Sequence, residues 1–263
     1  MAQVVERVCG ICSMIHGMCY CQGIEEMMDI EVPERAKYLR VIWSELHRVH
    51  SHLLWLGLFA DSFGFENLFM QFWRIREKIM DINEATAGNR VIVSVNIVGG
   101  VRYDLSDEHL SWIKETLVDV EKEIKRLKST LLSDYTVKRR TVGKGVLSKE
   151  QAYHLGAAGP TLRGSGVAQD MRQLGYAAFP NLEFEPVVAT EGDSWARSKV
   201  RFDETLQSIG LVRQAMEQLP QGELAAKVKG KPEGEITTRV EQPRGECFYY
   251  IKGDGSKYLD RVR

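Results

Sequence analysis

The sequence contains 263 residues, of which 44% are apolar and 27% are charged, a composition typical of a folded globular protein. Its 35 basic and 36 acidic residues nearly cancel, which excludes the strong field that attracts nucleic acid or an anionic membrane surface. Charged residues interrupt the N-terminus before any apolar core of a signal peptide, and no apolar stretch is long enough to span a bilayer. We therefore expect the cysteines to lie in a reducing compartment.

A cluster of thiols stands near the start of the chain. The segment "ERVCGICSMIHGMCYC" holds four of the five cysteines and one histidine. Cys9 and Cys12 are separated by two residues, so one tight turn can present both sulfurs to a single metal ion. A helix that begins at this loop would also favour the thiolate form. Clustered thiols in a reducing compartment are more often metal ligands or redox groups than disulfides.

The spacing of these thiols leaves several kinds of site open. A tetrahedral zinc site or an iron–sulfur cluster could use Cys9 and Cys12 with members of the group His16, Cys19 and Cys21. Cys19 and Cys21 would point in different directions on a continuing helix, which fits either site poorly. A thioredoxin-like pair would need a preceding strand, and a buried pair without special reactivity is also compatible with the sequence.

Helical periodicity dominates the next hundred residues. Pro33 can serve as the first residue of a helix whose apolar positions recur at steps of three and four up to Gly64. A second helix is predicted from Glu66 to about Ala87, and "VIVSVNIVGG" predicts a strand closed by paired glycines. Ser106 is predicted to cap a long helix whose heptad-like apolar stripe packs lengthwise on other helices.

The second half of the chain is more varied. A glycine-rich stretch follows, with a short helix after Ser148, and a further long helix is predicted from Asp193 to Leu219. A polar connector then leads to "EITTRVEQ" and "ECFYYIKGDGSKYL", which predict strands with an Asp-Gly hairpin turn. The expected fold is α+β and predominantly α, a long helical bundle with small β elements. Residues 1–219 form its helical core, and residues 220–263 form a linker and β-hairpin segment of the same domain.

Two further motifs invite a functional interpretation that the residues do not support. "GPTLRGSG" is rich in glycine, but it lacks the lysine and hydroxyl residue of a phosphate-binding loop, so nucleotide binding is not expected. His47 and His50 share one face of the first long helix while His52 does not. We interpret these three histidines as helix-packing and interface groups rather than as metal ligands.

The motifs together resemble a known family. "RVCGICSMIH" is similar to the first cysteine motif of the large subunit of [NiFe] hydrogenases. "SELHRVHSHLLWLG", "GPTLRGSGVAQDMR" and "EQPRGECFYYI" resemble, in the same order, the membrane-associated, energy-converting group 4 branch of that family. They also resemble the 49-kDa-type subunit of respiratory complex I, which lacks the metal-binding cysteines. The presence of Cys9 and Cys12 favours the hydrogenase branch.

This resemblance implies a nickel–iron centre held by two CxxC pairs. By motif position, Cys9 matches a terminal nickel ligand with a catalytic role, and Cys12 matches a ligand that bridges nickel and iron. Arg244 matches a catalytic arginine whose permanent charge lies over the bimetallic centre. The resemblance assigns cofactor-binding positions to His16, Pro243 and Arg163. The remaining cysteines match no ligand position and are expected to be structural: Cys19, Cys21 and Cys247.

The implied activity is the reversible oxidation of dihydrogen, with electrons passed to an iron–sulfur small subunit. The resemblance also implies docking to membrane ion-translocating subunits on the cytoplasmic face of the cell membrane. Neither nucleic acid binding nor direct membrane insertion is expected. The alternatives are a complex I-like NADH:quinone oxidoreductase subunit in which the cysteines are remnants, and a non-catalytic assembly scaffold.

The sequence departs from the family pattern near both ends. The second cysteine pair, within an Asp-Pro-Cys-x-x-Cys sequence, is absent, and so is an upstream region with an Arg-Gly segment and an acidic proton-relay residue. Two thiolates supply only half of the donors that the centre needs. We therefore expect a truncated, split or degenerate subunit that is inactive as an isolated chain.

Overall fold

The computed structural model describes residues 1–263, and five helices of 15 to 28 residues carry most of the architecture. In chain order the helices are α1 Ala2–Val5, α2 Ser13–Met27, α3 Glu34–Asp61, α4 Glu66–Ala87, α5 Asp107–Ser133, α6 Tyr135–Thr141, α7 Lys149–His154, α8 Gly159–Arg163 and α9 Ser194–Glu217. The strands are β1 Asn96–Ile97, β2 Gly100–Val101, β3 Glu233–Gln242, β4 Gly245–Asp254 and β5 Leu259–Val262. The predicted fold class, α+β with a predominance of helix, is confirmed.

The predicted helix ends follow local capping chemistry. Pro33 is extended, with ψ 144°, and caps α3 rather than opening it, so the helix starts one residue later than predicted. Gly88 ends α4 in a left-handed conformation that glycine adopts without steric cost. Ser106 accepts a hydrogen bond from the backbone N–H of His109, and Ser148 forms a capping box with Gln151.

The predicted strand at "VIVSVNIVGG" is mostly wrong. Only the two-residue strands β1 and β2 form there, and the chain before them is irregular. Val93 and Val95 are buried, but Ser94 between them has φ 52°, which interrupts an extended run. Asn96 donates its side-chain N–H to the backbone oxygen of Met14, 3.0 Å away. The apolar run therefore packs as a buried segment against α2 instead of pairing in a sheet.

The C-terminal strands form an antiparallel sheet in the order β3-β4-β5. Val240 pairs with Cys247, and the turn between β3 and β4 consists of Pro243 and Arg244. The predicted Asp-Gly turn lies between β4 and β5. The sheet packs on α2, where a Cβ at Gly23 would lie 2.7 Å from the end of the Ile251 side chain, so a larger residue would require that side chain to move.

Helix α3 is the centre of the bundle and is buried on all sides. It packs against α4 and α9, and the predicted stripe of α5 is fully buried at Ile113, Leu117, Val120, Ile124, Leu127 and Leu131. One core cluster of 49 residues extends from Val5 to Ile251 and includes inward-facing residues of β3 and β4. The C-terminal sheet therefore shares its core with the helices. No helix in the chain combines the length and the apolar character needed to traverse a bilayer.

Candidate active site

The cysteine loop is a short reversal between a 3₁₀ turn at Glu6–Val8 and α2. Cys9 is extended, with φ −145°, and is half-buried, whereas Cys12 is buried at the N-cap of α2. Gly10 is exposed at the tip of the loop, and an added Cβ there would meet no atom within 4 Å. The two thiols are close enough for each to shift the pKa of the other. The predicted juxtaposition of Cys9 and Cys12 is therefore present in the fold.

The environment of Cys9 favours its thiolate. Burial acts to raise the pKa of this thiol, but the backbone N–H groups of Ile11 and Cys12 and the charge of Arg244 lower it below its ordinary value. The Cys12 N–H belongs to the N-cap of α2 and the Ile11 N–H to the turn before it, and neither has a partner within the helix. The expectation that the helix start would favour a thiolate thus agrees with the environment of Cys9.

The pKa of the Cys12 thiol shifts in the opposite direction. Burial raises the pKa of its thiol to about 12, and the neighbouring negative charge of Cys9 adds to the effect. Arg244 opposes this shift only in part. The pair therefore consists of one half-buried thiol whose pKa is lowered and one buried thiol whose pKa is raised. At Cys12, burial outweighs the effect of the helix start, which the sequence analysis expects to favour a thiolate.

Arg244 lies at the exposed tip of the β3–β4 turn, and its charge acts on both thiols. Pro243 beside it is buried. The residues predicted to act together from opposite ends of the sequence, Cys9, Cys12 and Arg244, are therefore neighbours in the fold. Antiparallel pairing of β3 with β4 places the turn there, and α2 lies against the same sheet.

The glycine-rich loop holds the Arg244 turn in place. Gly159, the first residue of α8, has φ +62°, and a Cβ there would overlap the backbone oxygen of Arg244. A Cβ at Gly245 would in turn lie 2.7 Å from the backbone nitrogen of Gly159. The loop and the turn thus touch backbone to backbone, which gives "GPTLRGSG" a role in positioning the Arg244 turn.

His16 lies on the first turns of α2 and connects the cysteine loop to the sheet. Its Nδ1 is 3.0 Å from the Tyr249 hydroxyl and 3.8 Å from the Cys247 sulfur, and the Gln242 side-chain nitrogen is 3.2 Å from its Nε2. Burial lowers the pKa of His16, but the hydrogen bond and charge of Cys247 and the charge of Cys9 raise it overall. His16 thus joins the start of α2 to the sheet, and the cofactor-binding position that the resemblance assigns to it stays a prediction.

Cys247 is a third thiol beside the loop, at a position that the sequence pattern indicated to be structural only. Hydrogen bonding from Cys19 is the main influence that lowers the pKa of the Cys247 thiol to about 6, and His16 lowers it further against the effect of burial. The pKa of Cys19 moves upward in consequence. Strand alternation could have revealed this position, because Cys247 and Tyr249 occupy the same face of β4.

Glu6 is a buried carboxyl group three residues before Cys9 that no sequence motif singles out. One carboxyl oxygen accepts a hydrogen bond of 2.8 Å from the Ser94 hydroxyl, and the other has no partner in the protein. Burial raises the pKa of Glu6 to about 7, although Ser94 acts in the opposite direction. Gly17 on α2 leaves the space for this side chain, since a Cβ there would overlap the carboxyl group.

A buried ion cluster lies behind the site and joins α3, α8, α9, β3 and the turn at Met171–Leu174. We define the ion cluster as Glu45, Arg48, His52, Arg163, Asp170, Arg172, Glu204 and Glu241, all at most 2% exposed. Arg163 donates to Glu204 over 2.6 Å and to Glu241 over 2.8 Å. Arg172 reaches Asp170 over 2.8 Å and Glu45 over 3.1 Å. The cluster therefore connects α3, α8, α9, β3 and the Met171–Leu174 turn through buried ion pairs and hydrogen bonds.

The protonation of the ion cluster follows from its composition. Burial and the charge of neighbouring arginines lower the pKa of His52 to about 4 despite its hydrogen bond with Glu204, so this imidazole is neutral at pH 7. Four carboxyl groups then meet three arginines. Burial raises the pKa of Glu241, while Arg163 opposes the shift. This direction lessens the excess of negative charge in the buried cluster.

Arg163 and Asp170 lie in this ion cluster, not in the cysteine loop. Two guanidinium nitrogens of Arg163 are engaged with protein carboxylates, so the fold uses this residue to fix α8 against α9 and β3. Glu241 connects the cluster to the site, because the next residue, Gln242, contacts His16. Direct cofactor binding by Arg163 stays a prediction.

The donor set at the cysteine loop suits a soft metal only in part. Cys9 and Cys12 offer two adjacent sulfurs, the donors that nickel and iron prefer in thiolate-rich sites. No group of three or more histidine, cysteine, aspartate or glutamate side chains in the chain is arranged to hold a metal ion. These residues thus fit one edge of a metal centre and do not enclose one by themselves.

Comparison with known proteins places these features in a family. The family model "Respiratory-chain NADH dehydrogenase, 49 Kd subunit" matches residues 62–231, and the model "Nickel-dependent hydrogenase" matches residues 1–59, which contain the cysteine loop. The carbon monoxide-induced hydrogenase of Rhodospirillum rubrum is 38% identical over 99% of this chain and 73% of its own length. One subunit of the NADH-quinone oxidoreductase of Clostridium beijerinckii is 35% identical over 95% of this chain and 69% of its own length.

An archaeal hydrogenase and a solved structure agree with this assignment. The membrane-bound hydrogenase subunit alpha of Pyrococcus furiosus is 38% identical over 95% of this chain, which spans 62% of that relative's length. A chain in the structure of the membrane-bound sulfane sulfur reductase, an archaeal respiratory membrane complex, superposes with a TM-score of 0.94 at 29% identity. That match covers all of this chain and 73% of the other. This chain belongs to the family that unites the large subunits of membrane-bound nickel-dependent hydrogenases with the 49-kDa subunit of respiratory NADH dehydrogenase.

Proposed function

We propose that this chain is part of the catalytic subunit of a membrane-associated [NiFe] hydrogenase that interconverts dihydrogen with protons and electrons. The observation that carries the proposal is the juxtaposition of Cys9, Cys12 and Arg244 within the hydrogenase-like N-terminal region. Cys9 and Cys12 would be two thiolate ligands of a nickel–iron centre, and the further donors would lie outside these 263 residues. Electrons would pass to an iron–sulfur small subunit that binds beside the site.

Each residue near the thiols has a role in this proposal. When bound, the nickel–iron centre supplies the site at which dihydrogen is activated. Arg244 places a permanent positive charge beside the two sulfurs, which stabilises negative charge that develops there. His16 orients the base of the loop through Gln242 and Tyr249. Cys12 would hold such a centre as a thiolate, and it would therefore give up the proton that burial favours in the metal-free chain.

The test is metal content and activity in the intact complex. Wild-type complex purified under reducing conditions should contain nickel and reduce a redox dye with dihydrogen. The Cys9→Ser and Cys12→Ser variants should each lose the nickel and at least about 100-fold of the activity, because an alcohol is a poor ligand for nickel at neutral pH.

The matched control is Cys21→Ala, which removes a fully buried thiol from the same helix outside the loop. This variant should keep nickel and activity. Wild-type complex without nickel and inert toward dihydrogen, but able to reduce quinone, would contradict the proposal and favour the complex I-like alternative. Binding of the small subunit by a Cys9→Ser, Cys12→Ser double variant of an inactive complex would favour the scaffold.

A second candidate function is the reduction of sulfane sulfur by the Cys9–Cys12 dithiol itself. Two observations favour it: the asymmetry between an ionisable Cys9 and a protonated Cys12, and the similarity to a chain of the sulfane sulfur reductase complex. Such asymmetry is typical of a dithiol in which one sulfur attacks and the second resolves the intermediate.

The steps of this second reaction balance. The Cys9 thiolate attacks one atom of a sulfur–sulfur bond, forms a mixed disulfide and releases the other fragment as a thiolate or hydrosulfide. Cys12 then loses its proton and attacks the Cys9 sulfur, which releases the second fragment and forms a Cys9–Cys12 disulfide. Two electrons from an iron–sulfur partner protein, with two protons, restore both thiols.

Trapping distinguishes the two candidates. With an organic polysulfide, the Cys12→Ser variant should accumulate a covalent adduct on Cys9 that mass spectrometry detects, whereas Cys9→Ser should not. Nickel-free wild-type complex should then be fully active toward polysulfide. A strict requirement for nickel, or no adduct on Cys9, would contradict the dithiol mechanism.

A further inference from the structure

Two histidines of α3 lie buried behind the cysteine loop without partners in the protein. The rings of His47 and His50 are 5.0 Å apart between centroids and inclined by 57°. The residues are 1% and 0% exposed, yet none of their four ring nitrogens makes a hydrogen bond of good geometry. Buried polar atoms in folded proteins are almost always satisfied, so four such nitrogens in one place require an explanation.

The pair lies between the cysteine loop and α4. The backbone oxygen of Ile11, within the CxxC segment, is close enough to favour the protonated form of His47, although burial lowers the pKa of this imidazole to about 4. Arg76 of α4 is 4% exposed, and its charge acts on both rings. The Nε atom of Arg76 also lacks a partner.

The series of unpartnered atoms continues outward. The Arg76 guanidinium lies over the ring of Trp73, 4.9 Å from its centroid, and the indole N–H of Trp73 has no hydrogen-bond partner either. Trp73 is partly exposed, whereas Arg76 and both histidines are buried. The unpartnered groups therefore lead from the back of the CxxC segment to the surface beside α4.

The chemistry of these groups selects their occupant. A neutral imidazole carries one N–H donor and one acceptor nitrogen, while Arg76 and Trp73 contribute donors only. A metal cation would be repelled by Arg76 and would find no third donor. An anion would accept from the donors but leave both acceptor nitrogens unsatisfied. Water donates and accepts, and buried waters usually make about three such bonds.

We propose that His47, His50 and Arg76 line a file of buried water molecules that runs from Ile11 to the surface at Trp73 and carries protons to and from the Cys9–Cys12 site. The hydration of the file stands on the contacts of these residues alone. Its use as a proton route rests on the proposed function, since both proposed reactions exchange protons at the thiol pair.

Proton transfer along such a file needs no net charge on the histidines. A water donates a proton to the acceptor nitrogen of one imidazole while the opposite N–H of that ring gives its proton to the next water. The proton count of each ring is unchanged after the step, but its tautomer is reversed. The waters must return the ring to its starting tautomer before a second proton can pass in the same direction. Arg76 keeps its charge throughout and orients the waters at the outer end.

A high-resolution crystal structure of the intact complex tests the hydration. Ordered waters should appear within about 3.2 Å of the ring nitrogens of both histidines and of the Arg76 Nε. Rings packed directly on protein atoms, or density for an anion or a metal, would overturn the water file. This result does not depend on whether the complex consumes dihydrogen or polysulfide.

Variants of His50 test the proton route. His50→Phe should lower kcat about tenfold with KM unchanged and should increase the solvent deuterium isotope effect, because proton delivery becomes limiting. His50→Gln, which supplies both a donor and an acceptor, should restore at least half of the rate. The control His154→Phe changes an exposed histidine on α7 and should have no effect.

The crystallographic and kinetic outcomes separate the water file from its use. Ordered waters together with unchanged kinetics in His50→Phe would overturn the proton route and leave the water file standing. Ordered waters in a complex that shows neither activity would overturn the proposed function instead. Should His50→Phe not fold, His50→Leu provides the same loss of polar atoms with a smaller side chain.

Discussion

Two buried polar regions on different faces of α3 show opposite ways of placing polar groups inside a protein. In the ion cluster, Glu45 accepts from Arg48 of its own helix over 3.2 Å and from Arg172 over 3.1 Å, and His52 meets Glu204 of α9 over 2.8 Å. In the histidine pair, His47 and His50 are as deeply buried but have no partner of their own. The comparison suggests a division of labour. Paired charges fix helices and strands against one another. Neutral groups without protein partners leave their hydrogen bonds to water molecules.

The ion cluster is also the part of the fold that positions the candidate site. Glu241 accepts from Arg163 and from the backbone N–H of Met171, and its own backbone oxygen accepts from Arg48. The next residue, Gln242, contacts His16. A displacement of the cluster would therefore reach His16 and the cysteine loop through one strand end.

Removing one member of the ion cluster should produce the largest effect. Arg163→Met should lower the free energy of unfolding by about 3–5 kcal/mol, because Glu204 and Glu241 would remain buried without their counter-charge. Urea denaturation followed by circular dichroism measures the change. Arg126→Met, which alters an exposed arginine paired with Glu123, should cost less than about 1 kcal/mol. Equal losses in both variants would contradict the structural role of the cluster.

Glu6 combines the behaviour of both regions, since one of its carboxyl oxygens has a hydrogen-bond partner and the other has none. Its folded pKa of about 7 exceeds the ordinary 4.5, so the stability it contributes is complete below pH 4.5 and is lost as pH rises to 7. Glu6→Gln cannot ionise. Relative to wild type, this variant should therefore gain about 3 kcal/mol of unfolding free energy between pH 4.5 and 8, from a shift of about 2.5 units at about 1.4 kcal/mol each.

Urea denaturation at several pH values measures this gain for Glu6→Gln. The difference between variant and wild type should grow up to about pH 7 and change little above it. Glu115→Gln, an exposed position on α5, serves as the control and should show no such trend. A difference that is independent of pH would show that the pKa of Glu6 is the same in the folded and the unfolded protein.

Two leucine substitutions on α3 compare the two polar regions directly, and they should have the smallest effects on stability. His52→Leu should destabilise the fold by about 1–3 kcal/mol, because the buried Glu204 carboxylate loses a hydrogen-bond donor 2.8 Å away. His50→Leu breaks no hydrogen bond within the protein and should change stability by less than about 1 kcal/mol. Thermal and urea unfolding of both variants give these values. Equal losses would show that partnership does not distinguish the two faces of α3.

Local chemistry in the sequence predicts much of the helical architecture. The bounds of α4 and the cap of α5 follow from Gly88 and Ser106, which act within one turn of the residues they stop or start. Local signals do not predict the irregular structure of residues 91–100, because burial against α2 and the positive φ of Ser94 override the β propensity of this segment. Short-range signals thus define helices well, while isolated apolar runs depend on distant contacts.

In the candidate site, too, local sequence predicts some features, while others depend on contacts with distant parts of the chain. The spacing of Cys9 and Cys12 predicts their juxtaposition, because both lie in one turn. Cys247 and Glu6 were missed, since the sheet and the segment at Ser94 that give them their environment come from distant parts of the chain. The opposite pKa shifts of Cys9 and Cys12 were equally beyond sequence reasoning, because they depend on how deeply each sulfur is buried.

The backbone contact between Gly159 and the Arg244 turn has a consequence for variation in this protein. Neither Gly159 nor Gly245 leaves space for a side chain, so a substitution at one cannot be compensated by shrinking the other. Saturation mutagenesis at both positions should recover almost only the parental pair under selection for a working enzyme. To change the position of Arg244, a design would need to alter the length of the glycine loop, because Gly159 and Gly245 cannot be replaced.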